Sequence, residues 1–143
     1  MTIVMSDDVK QRLVNSLSDG VTIVVGYVDR HGDPHVSPYG SVHACADDRL
    51  GLWLRNADGE LSHGIARNPK VVVFYSQLAS RTFMRFQGRA RLVTDDAERS
   101  RVFEGMHAFE QRRDPERKGA AVVIDLDLIG GRAGDGSMFS MTR

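Results

Sequence analysis

The sequence has one cysteine, one tryptophan and four prolines in 143 residues, and neither sign of charge is in excess. A single Cys45 cannot form a disulfide within the chain, so nothing in the composition indicates an oxidising compartment. Lys and Arg together number 19, as do Asp and Glu. This balance argues against a nucleic-acid-binding protein, because such proteins carry a basic excess that neutralises phosphates.

Long apolar runs are also missing. No window approaches the ~18 apolar residues of a membrane span, and the N-terminus MTIVMSDDVK lacks the basic and apolar regions of a signal peptide. We therefore expect a cytoplasmic protein with no membrane partner. The length, with 41% hydrophobic and 27% charged residues, is typical of one globular domain over residues 1–143.

Candidate nucleophiles and metal ligands are few and isolated. The neighbours of Cys45 supply no cation to activate it, so we predict a structural thiol. His35 and His43 lie too far apart along a straight strand to share an ion, and the other three histidines have no ligand partner nearby in sequence. No metal site is predicted. No triad or carboxylate pair is present in the pattern, so no catalytic residue is assigned.

Hydrophobic patterning predicts more strands than helices. Six strands are expected from β-branched runs and from alternation, at residues 21–29, 34–44, 50–56, 70–77, 82–92 and 120–130. Three helices are expected: from Ser6 to near Asp19-Gly20, from Glu60 to Arg67, and from Asp95 to just before Asp114-Pro115. Tight turns between strands favour antiparallel pairing, and a barrel removes exposed edges. The prediction is a mainly β (α+β) antiparallel barrel with flanking helices.

The Gly-rich tail, residues 130–143, is predicted to be irregular. Its Met138 and Phe139 are costly to leave in water, so we expect them to pack on a partner.

The stretch PHVSPYGSVHA, residues 34–44, has an unusual polar half if it forms one strand. One face would carry Val36, Pro38, Gly40, Val42 and Ala44, and the other His35, Ser37, Tyr39, Ser41 and His43. A solvent-facing strand surface usually carries Lys, Glu and Thr, so this hydroxyl and imidazole stripe is unusual for an exposed face. A hydrated strand face, or a dimer contact without a ligand, explains the same pattern.

The best local candidate for anion binding is RNADGELSHG, residues 55–64. Arg55 ends a strand, Asn56 begins the turn, and the N–H groups of the following helix start point toward an anion, with Ser62 able to donate from the first turn. Arg55 can equally be a surface charge at the end of a strand.

Three segments in this order resemble the pyridoxamine 5′-phosphate oxidase-like family, whose members are split β-barrel flavin and deazaflavin proteins. They are VVGYVDRHGDPHVSP, then LGLWLRN with a short helix and ARNPKVVVFY, and then RFQGRARLV; the resemblance runs from about Gly20 to Gly131. It implies a six-stranded split barrel that forms a homodimer, with FMN or coenzyme F420 at the subunit interface. It places the stripe of Ser37, Tyr39 and Ser41, with His35 at its entry, against the cofactor ring and the partner subunit. Together with the anion-binding candidates above, the predicted cofactor-binding residues are Ser37, Pro38, Tyr39, Gly40, Arg55, Asn56 and Ser62.

The helix start departs from the family pattern. Typical members carry Ser or Thr and then Lys or Arg there, where this chain has Gly59 and Leu61. Glu60 stabilises the helix start by ~0.3–1 kcal/mol but repels a phosphate. A compensating cation would then come from elsewhere, and the candidates are Arg67, Arg85, Arg89 and Arg91.

The resemblance implies a flavin- or deazaflavin-dependent oxidoreductase that acts on a small-molecule substrate, which the sequence does not identify. The alternative is a non-catalytic module that binds a flavin or a tetrapyrrole.

Overall fold

The structure, a computed structural model, describes residues 2–132 and 135–143. Its helices are α1 (Asp7–Val14), α2 (Glu60–Arg67), α3 (Asp96–Gly105) and α4 (Ala108–Arg112). Its strands are β1 (Val24–Val28), β2 (Pro34–Pro38), β3 (His43–Ala46), β4 (Arg49–Leu54), β5 (Lys70–Gln77), β6 (Thr82–Leu92), β7 (Ala120–Arg132) and β8 (Met138–Thr142). All the pairings are antiparallel, so the mainly β (α+β) fold class is confirmed.

One sheet contains all these strands, in the order β2-β1-β5-β6-β7-β4-β3, with β8 paired to β7. The strands β2 and β3 are consecutive in the chain yet lie at opposite ends of this order. Residues 39–42 join them, and the five Cα steps from Pro38 to His43 span at most about 19 Å. A flat sheet of seven strands would separate its outer strands by about 29 Å. The sheet must therefore curl into a barrel, which remains open between β2 and β3.

The long strand β7 holds the barrel together. One edge pairs with β6 along most of its length, and the other edge is shared by two partners. β4 pairs with Ala120–Asp125, and β8 pairs with Leu128–Arg132. The strand therefore connects the barrel wall to the C-terminal segment.

Two apolar clusters stabilise the fold. The larger one fills the barrel and includes Leu50, Leu52, Val73, Phe86 and Ile124, all fully buried. The smaller one lies outside the barrel under α3, and its members are Trp53, Val102, Phe103, Met106, Ala121 and Val123. Each large apolar side chain contributes roughly 1.5–3 kcal/mol on burial. The strands β4 and β7 are buried on both faces because they lie between the clusters.

The helix α2 begins and ends at the predicted residues. It packs on β1, where Gly64 permits close approach: a Cβ at this position would lie 2.5 Å from the carbonyl oxygen of Val28. The helix start is therefore fixed against the barrel beside the end of β4.

The predicted single strand over residues 34–44 is wrong, because the chain turns at residues 39–42 and forms β2 and β3 instead. The hydroxyl of Ser41 replaces the strand pairing there: it accepts a hydrogen bond from the Trp53 N–H (3.0 Å) and donates one to the Trp53 carbonyl (3.3 Å). The predicted alternation of faces also ends at this turn. Val36 is 66% exposed, whereas Ser41 and His43 are buried.

Three other boundaries differ from the prediction. The first helix ends at Val14 and continues as turns to Gly20, and the long helix is interrupted after Gly105, where Met106 has extended backbone. The predicted irregular tail is wrong for the described residues, since β7 reaches Arg132 and β8 follows; residues 133 and 134 lie outside the described part. The tail forms a strand because the second half of β7 offers it a free edge. None of the helices in the described part of the chain has the length and apolar character that a membrane span requires.

Candidate functional site

A cavity of about 840 Å³ lies at one end of the barrel, and this volume is typical of small-molecule sites. Its walls come from the β2–β3 connection, the end of β4, the start of α2, the segment before β1, and α4. Six of the seven predicted cofactor-binding residues line it: Pro38, Tyr39, Gly40, Arg55, Asn56 and Ser62. The seventh, Ser37, lies on β2 opposite Val25, outside this lining. The fold thus brings together two segments that are separated in sequence.

The polar stripe predicted in residues 34–44 is divided between three places. The Ser41 hydroxyl is hydrogen-bonded to the backbone of Trp53. The Nδ1 of His35 lies 3.2 Å from the Tyr27 hydroxyl. His43 is buried on the α3 side of the sheet, where its Nδ1 donates to the Ser41 carbonyl at 2.9 Å. From this stripe Tyr39 and Ser41 line the cavity.

Tyr39 is the half-buried polar group of the β2–β3 connection. Its backbone N–H donates to the Ile23 carbonyl at 2.9 Å, which holds the connection against the segment before β1. Burial raises the pKa of the Tyr39 phenol, and Tyr27 adds to the shift. The phenol therefore remains protonated near neutral pH and can donate a hydrogen bond to a ligand.

Hydrogen bonds within the turn from Asn56 to Gly59 fix the backbone directly before α2. The Asn56 side-chain oxygen accepts from the Asp58 N–H at 3.1 Å, and the Asn56 carbonyl accepts from the Gly59 N–H at 3.2 Å. The first N–H within α2 to bond back along the helix is that of His63, to Gly59. The N–H groups of residues 60–62 precede it and therefore have no partner within the helix, and these three residues line the cavity. Ser62 donates to the Ala57 carbonyl at 2.8 Å, which leaves its lone pairs as acceptors.

Glu60 also lines the cavity, but its charge is matched. The Arg30 guanidinium lies 2.9 Å from its carboxylate, and both side chains are roughly half exposed. The repulsion of phosphate predicted from the sequence is therefore weakened by a cation from the β1–β2 turn.

Of the cations predicted to compensate, three have other partners. Arg67 donates to the Arg30 carbonyl. Arg89 pairs with Asp127, and Arg91 pairs with both Asp125 and Glu98. The fourth, Arg85, borders a different cavity beside β8. These four residues do not line the 840 Å³ cavity, so the predicted compensation is wrong within this chain.

The segment around α4 contributes residues that the sequence analysis missed. Phe109, Glu110 and Arg113 line the cavity, and Gly40 allows Glu110 to approach: a Cβ at Gly40 would lie 2.7 Å from a carboxylate oxygen of Glu110. The sequence here, FEQRRDPERKG, is a charged run with a turn signal. Nothing in it indicates which end of the barrel it covers.

A cluster around Trp53 anchors this segment. The indole N–H donates to Asp114 at 2.8 Å, and Asp114 also accepts from the N–H groups of Lys118 (3.0 Å) and Gly119 (2.8 Å). The Arg99 guanidinium lies 4.7 Å from the centre of the Trp53 ring. Partial burial acts to raise the pKa of Asp114, but the hydrogen bonds together hold it below its usual value. Asp114 is therefore an ionised acceptor, and its hydrogen bonds hold the backbone in place directly after Arg113.

Other chemistries find little support in the described part of the chain. Among residues 2–132 and 135–143, no group of three or more His, Cys, Asp or Glu side chains is arranged to hold a metal ion. Burial raises the pKa of the Cys45 thiol to about 11. Cys45 is thus a poor nucleophile at neutral pH.

Comparisons with known proteins agree with this architecture. The chain is similar to HupZ of Group A Streptococcus (22% identity, TM-score 0.67, 94% of this chain and 99% of that one). It is also similar to a putative pyridoxamine 5′-phosphate oxidase from Lactobacillus delbrueckii (18%, 0.61, 90% and 94%). A third similar structure is a heme binding protein from Mycobacterium smegmatis (14%, 0.70, 98% and 60%). These identities show the fold alone.

A search of curated protein sequences finds no match. The family model described as pyridoxamine 5′-phosphate oxidase matches residues 9–130, which include all nine elements from β1 to α4 and most of α1 and β7. The family predicted from the sequence is therefore confirmed: this chain belongs to the pyridoxamine 5′-phosphate oxidase family.

Proposed function

We propose that the 840 Å³ cavity binds FMN or coenzyme F420 and that the protein is a flavin- or deazaflavin-dependent oxidoreductase. The observation that supports this most is the convergence, in one cavity, of six residues predicted from two separate segments. An anion-binding helix start lies at one side of this cavity, and an apolar wall lies at another. A phosphate-bearing ring system requires both features.

The residues at the α2 start fit a phosphate. Arg55 supplies a charge at the end of β4, and the first N–H groups of α2 supply donors along the helix dipole. The Arg30 pairing weakens the effect of Glu60 on an incoming anion. This part of the cavity therefore binds and orients the phosphate end of the cofactor.

The remaining walls fit a ring. Trp53, Leu54 and Ile23 give apolar surface, and the Tyr39 phenol gives a neutral donor for a carbonyl or a ring nitrogen. A bound flavin or deazaflavin would itself supply the hydride chemistry. The chain's own residues orient the ring and exclude water from it, and no nucleophile is required.

The alternative is a non-catalytic module that binds a tetrapyrrole, and one residue favours it. Haem iron is bound in proteins by His, Cys, Met or Tyr side chains. Among the described residues that line the cavity, Tyr39 is the one of these types. The raised pKa of its phenol opposes this role, because iron binds the phenolate. We therefore favour the flavin function.

Absorbance and fluorescence titrations with FMN, F420 and haemin separate these functions. We expect micromolar binding of FMN or F420 with quenching of Trp53 emission, and turnover of the reduced cofactor with an artificial acceptor. A Soret shift with haemin and no flavin binding would establish the tetrapyrrole module. Binding of none of the three would overturn both.

Arg55→Gln tests the phosphate end, with Arg101→Gln on the exposed side of α3 as the matched control. Loss of a charge-assisted hydrogen bond is expected to raise the FMN dissociation constant roughly ten- to hundredfold. Riboflavin has the same ring without phosphate, so its affinity should hardly change. Equal effects of Arg55→Gln on the two ligands would show that the phosphate lies elsewhere.

We also infer that the active form is a homodimer. Several large apolar side chains are exposed on the sheet or its turns, among them Val36 (66%), Leu78 (90%) and Met138 (64%). Phe74 is 39% exposed and lies 6.5 Å from Phe83, centre to centre. A second copy would remove this surface from water. Light scattering should give the dimer mass, and a monomer at micromolar concentration would contradict the inference.

A further inference from the structure

The cavity contains a cation that neither the family pattern nor the sequence analysis assigns. Arg113 follows α4, more than fifty residues after Arg55 in the chain, and both line the same cavity. The helix start has Gly59 and Leu61 where relatives place a phosphate-binding pair, so the site lacks one positive charge there. Arg113 brings a positive charge to the same cavity from a different element.

The contacts of the Arg113 guanidinium within the described residues are weak. Its nearest carboxylate oxygen, in Glu110, is 3.9 Å away, which is longer than a hydrogen bond. It also lies 5.8 Å from the centre of the Phe109 ring, and its side chain is 42% exposed. Its planar set of donors therefore remains available, and this geometry matches phosphate oxygens.

The position of Arg113 is fixed even though its charged group is loosely held. The next residue, Asp114, accepts hydrogen bonds from the Trp53 indole and from two backbone N–H groups. On the other side Glu110 packs against Gly40 and is only 11% exposed. The backbone is thus anchored at both ends, which reduces the entropy cost of holding the side chain over a ligand.

Glu110 is the internal competitor for Arg113. An anionic ligand would draw the guanidinium away from this carboxylate, and the carboxylate itself lowers the affinity of the cavity for anions. The two side chains therefore have opposite expected effects on the same ligand.

We propose that Arg113 binds the phosphate of the ligand in this cavity, in place of the Lys or Arg missing from the α2 start, and that Glu110 opposes this binding. The identity of the ligand as a flavin or deazaflavin rests on the function proposed above. That the ligand carries a phosphate group is inferred separately, from the positive charges of Arg55 and Arg113 in the cavity lining.

The test compares Arg113→Gln, Glu110→Gln and the control Arg112→Gln, which changes the neighbouring exposed arginine outside the cavity. Dissociation constants for FMN and riboflavin are measured from Trp53 quenching. We expect Arg113→Gln to weaken FMN roughly ten- to hundredfold and Glu110→Gln to tighten it about three- to tenfold, with riboflavin and the control nearly unchanged. Equal effects on both flavins, or equal effects of Arg113→Gln and Arg112→Gln, would overturn the proposal.

A second arm keeps this test separate from the proposed function. The melting temperature is measured with inorganic phosphate and with chloride at matched ionic strength. If the wild-type protein binds neither FMN nor F420, the proposed function fails. The proposed role of Arg113 is then supported if phosphate raises the melting temperature of the wild type more than that of Arg113→Gln. It is overturned if phosphate stabilises both equally or neither.

Discussion

Asp114 connects the segment that carries Arg113 to the single tryptophan, so its removal should loosen the cavity wall. In Asp114→Ala the indole N–H of Trp53 and the N–H of Gly119 lose their acceptor, and both residues are buried. Hydrogen bonds to a charged group contribute about 1.5–3 kcal/mol each. Because Asp114 is partly exposed, solvent screening reduces the contribution of each of these two bonds to the lower value. The free energy of unfolding should then fall by about 3 kcal/mol.

Urea unfolding followed by Trp53 emission measures this change directly, because the chain has one tryptophan and it is the donor to Asp114. The matched control is Glu116→Gln in the same loop, where the side chain is 70% exposed and pairs with Lys118. The control should change stability by less than about 0.5 kcal/mol. If Asp114→Ala costs no more than the control, Asp114 does not hold this segment and the reasoning is refuted.

The same carboxylate gives a pH dependence with a defined sign. The pKa of Asp114 is lower in the folded protein than the usual value of about 3.9, so the unfolded chain binds more protons as the solution is acidified. The stabilising contribution is complete above pH 3.9 and is lost as the pH falls through the folded-state pKa. The stability difference between wild type and Asp114→Asn should therefore be constant near neutral pH and shrink as the pH falls below about 3.9.

Three further predictions concern buried positions. Burial lowers the pKa of His43 below its usual value of about 6.5, and the hydrogen bond to the Ser41 carbonyl opposes this shift only in part. The melting temperature of the wild type should therefore fall as the pH drops below about 6.5, and that of His43→Asn should fall less. Cys45, with its pKa raised to about 11, should react with iodoacetamide at pH 8 at least a hundredfold more slowly than in urea, measured by mass spectrometry, and equal rates would contradict the burial. Gly64→Ala places a Cβ 2.5 Å from the Val28 carbonyl oxygen, and the clash of about 3 kcal/mol should outweigh a helix-propensity gain of about 1 kcal/mol. Urea unfolding should show a net loss of about 2 kcal/mol in the free energy of unfolding. An unchanged midpoint would show that α2 moves away from β1 without cost.

Local patterns in the sequence predict most of this fold but not how distant segments meet. The helix α2 and the strand β6 were predicted at their observed boundaries, because a proline stop and a long alternation are encoded within each segment. The break between β2 and β3 was missed, because the alternation of residue types continues through it. The Ser41 hydroxyl that ends the strand pairing bonds the backbone of Trp53, 12 residues later. No local pattern carries that information.

The candidate site shows the same division. Residues from the β2–β3 connection and the α2 start could be predicted, because the family resemblance places both near a cofactor, and six of them line one cavity. Arg113 could not be predicted, because its approach depends on the anchor between Asp114 and Trp53, 61 residues apart. The pairing of Glu60 with Arg30 was equally hidden, since the two lie 30 residues apart.

The shared edge of β7 also determines when this protein can fold. Leu50 of β4 pairs with Ile124, so β4 has no permanent neighbour on that side until the last long strand has left the ribosome. Pairings at such sequence separation close slowly, because the entropy of a long loop is lost before the contacts form. The backbone N–H and C=O groups on the edge of β4 that pairs with β7 therefore stay without these partners until β7 has been synthesised. The indole of Trp53, at the end of that strand, reaches its native surroundings only in a late step.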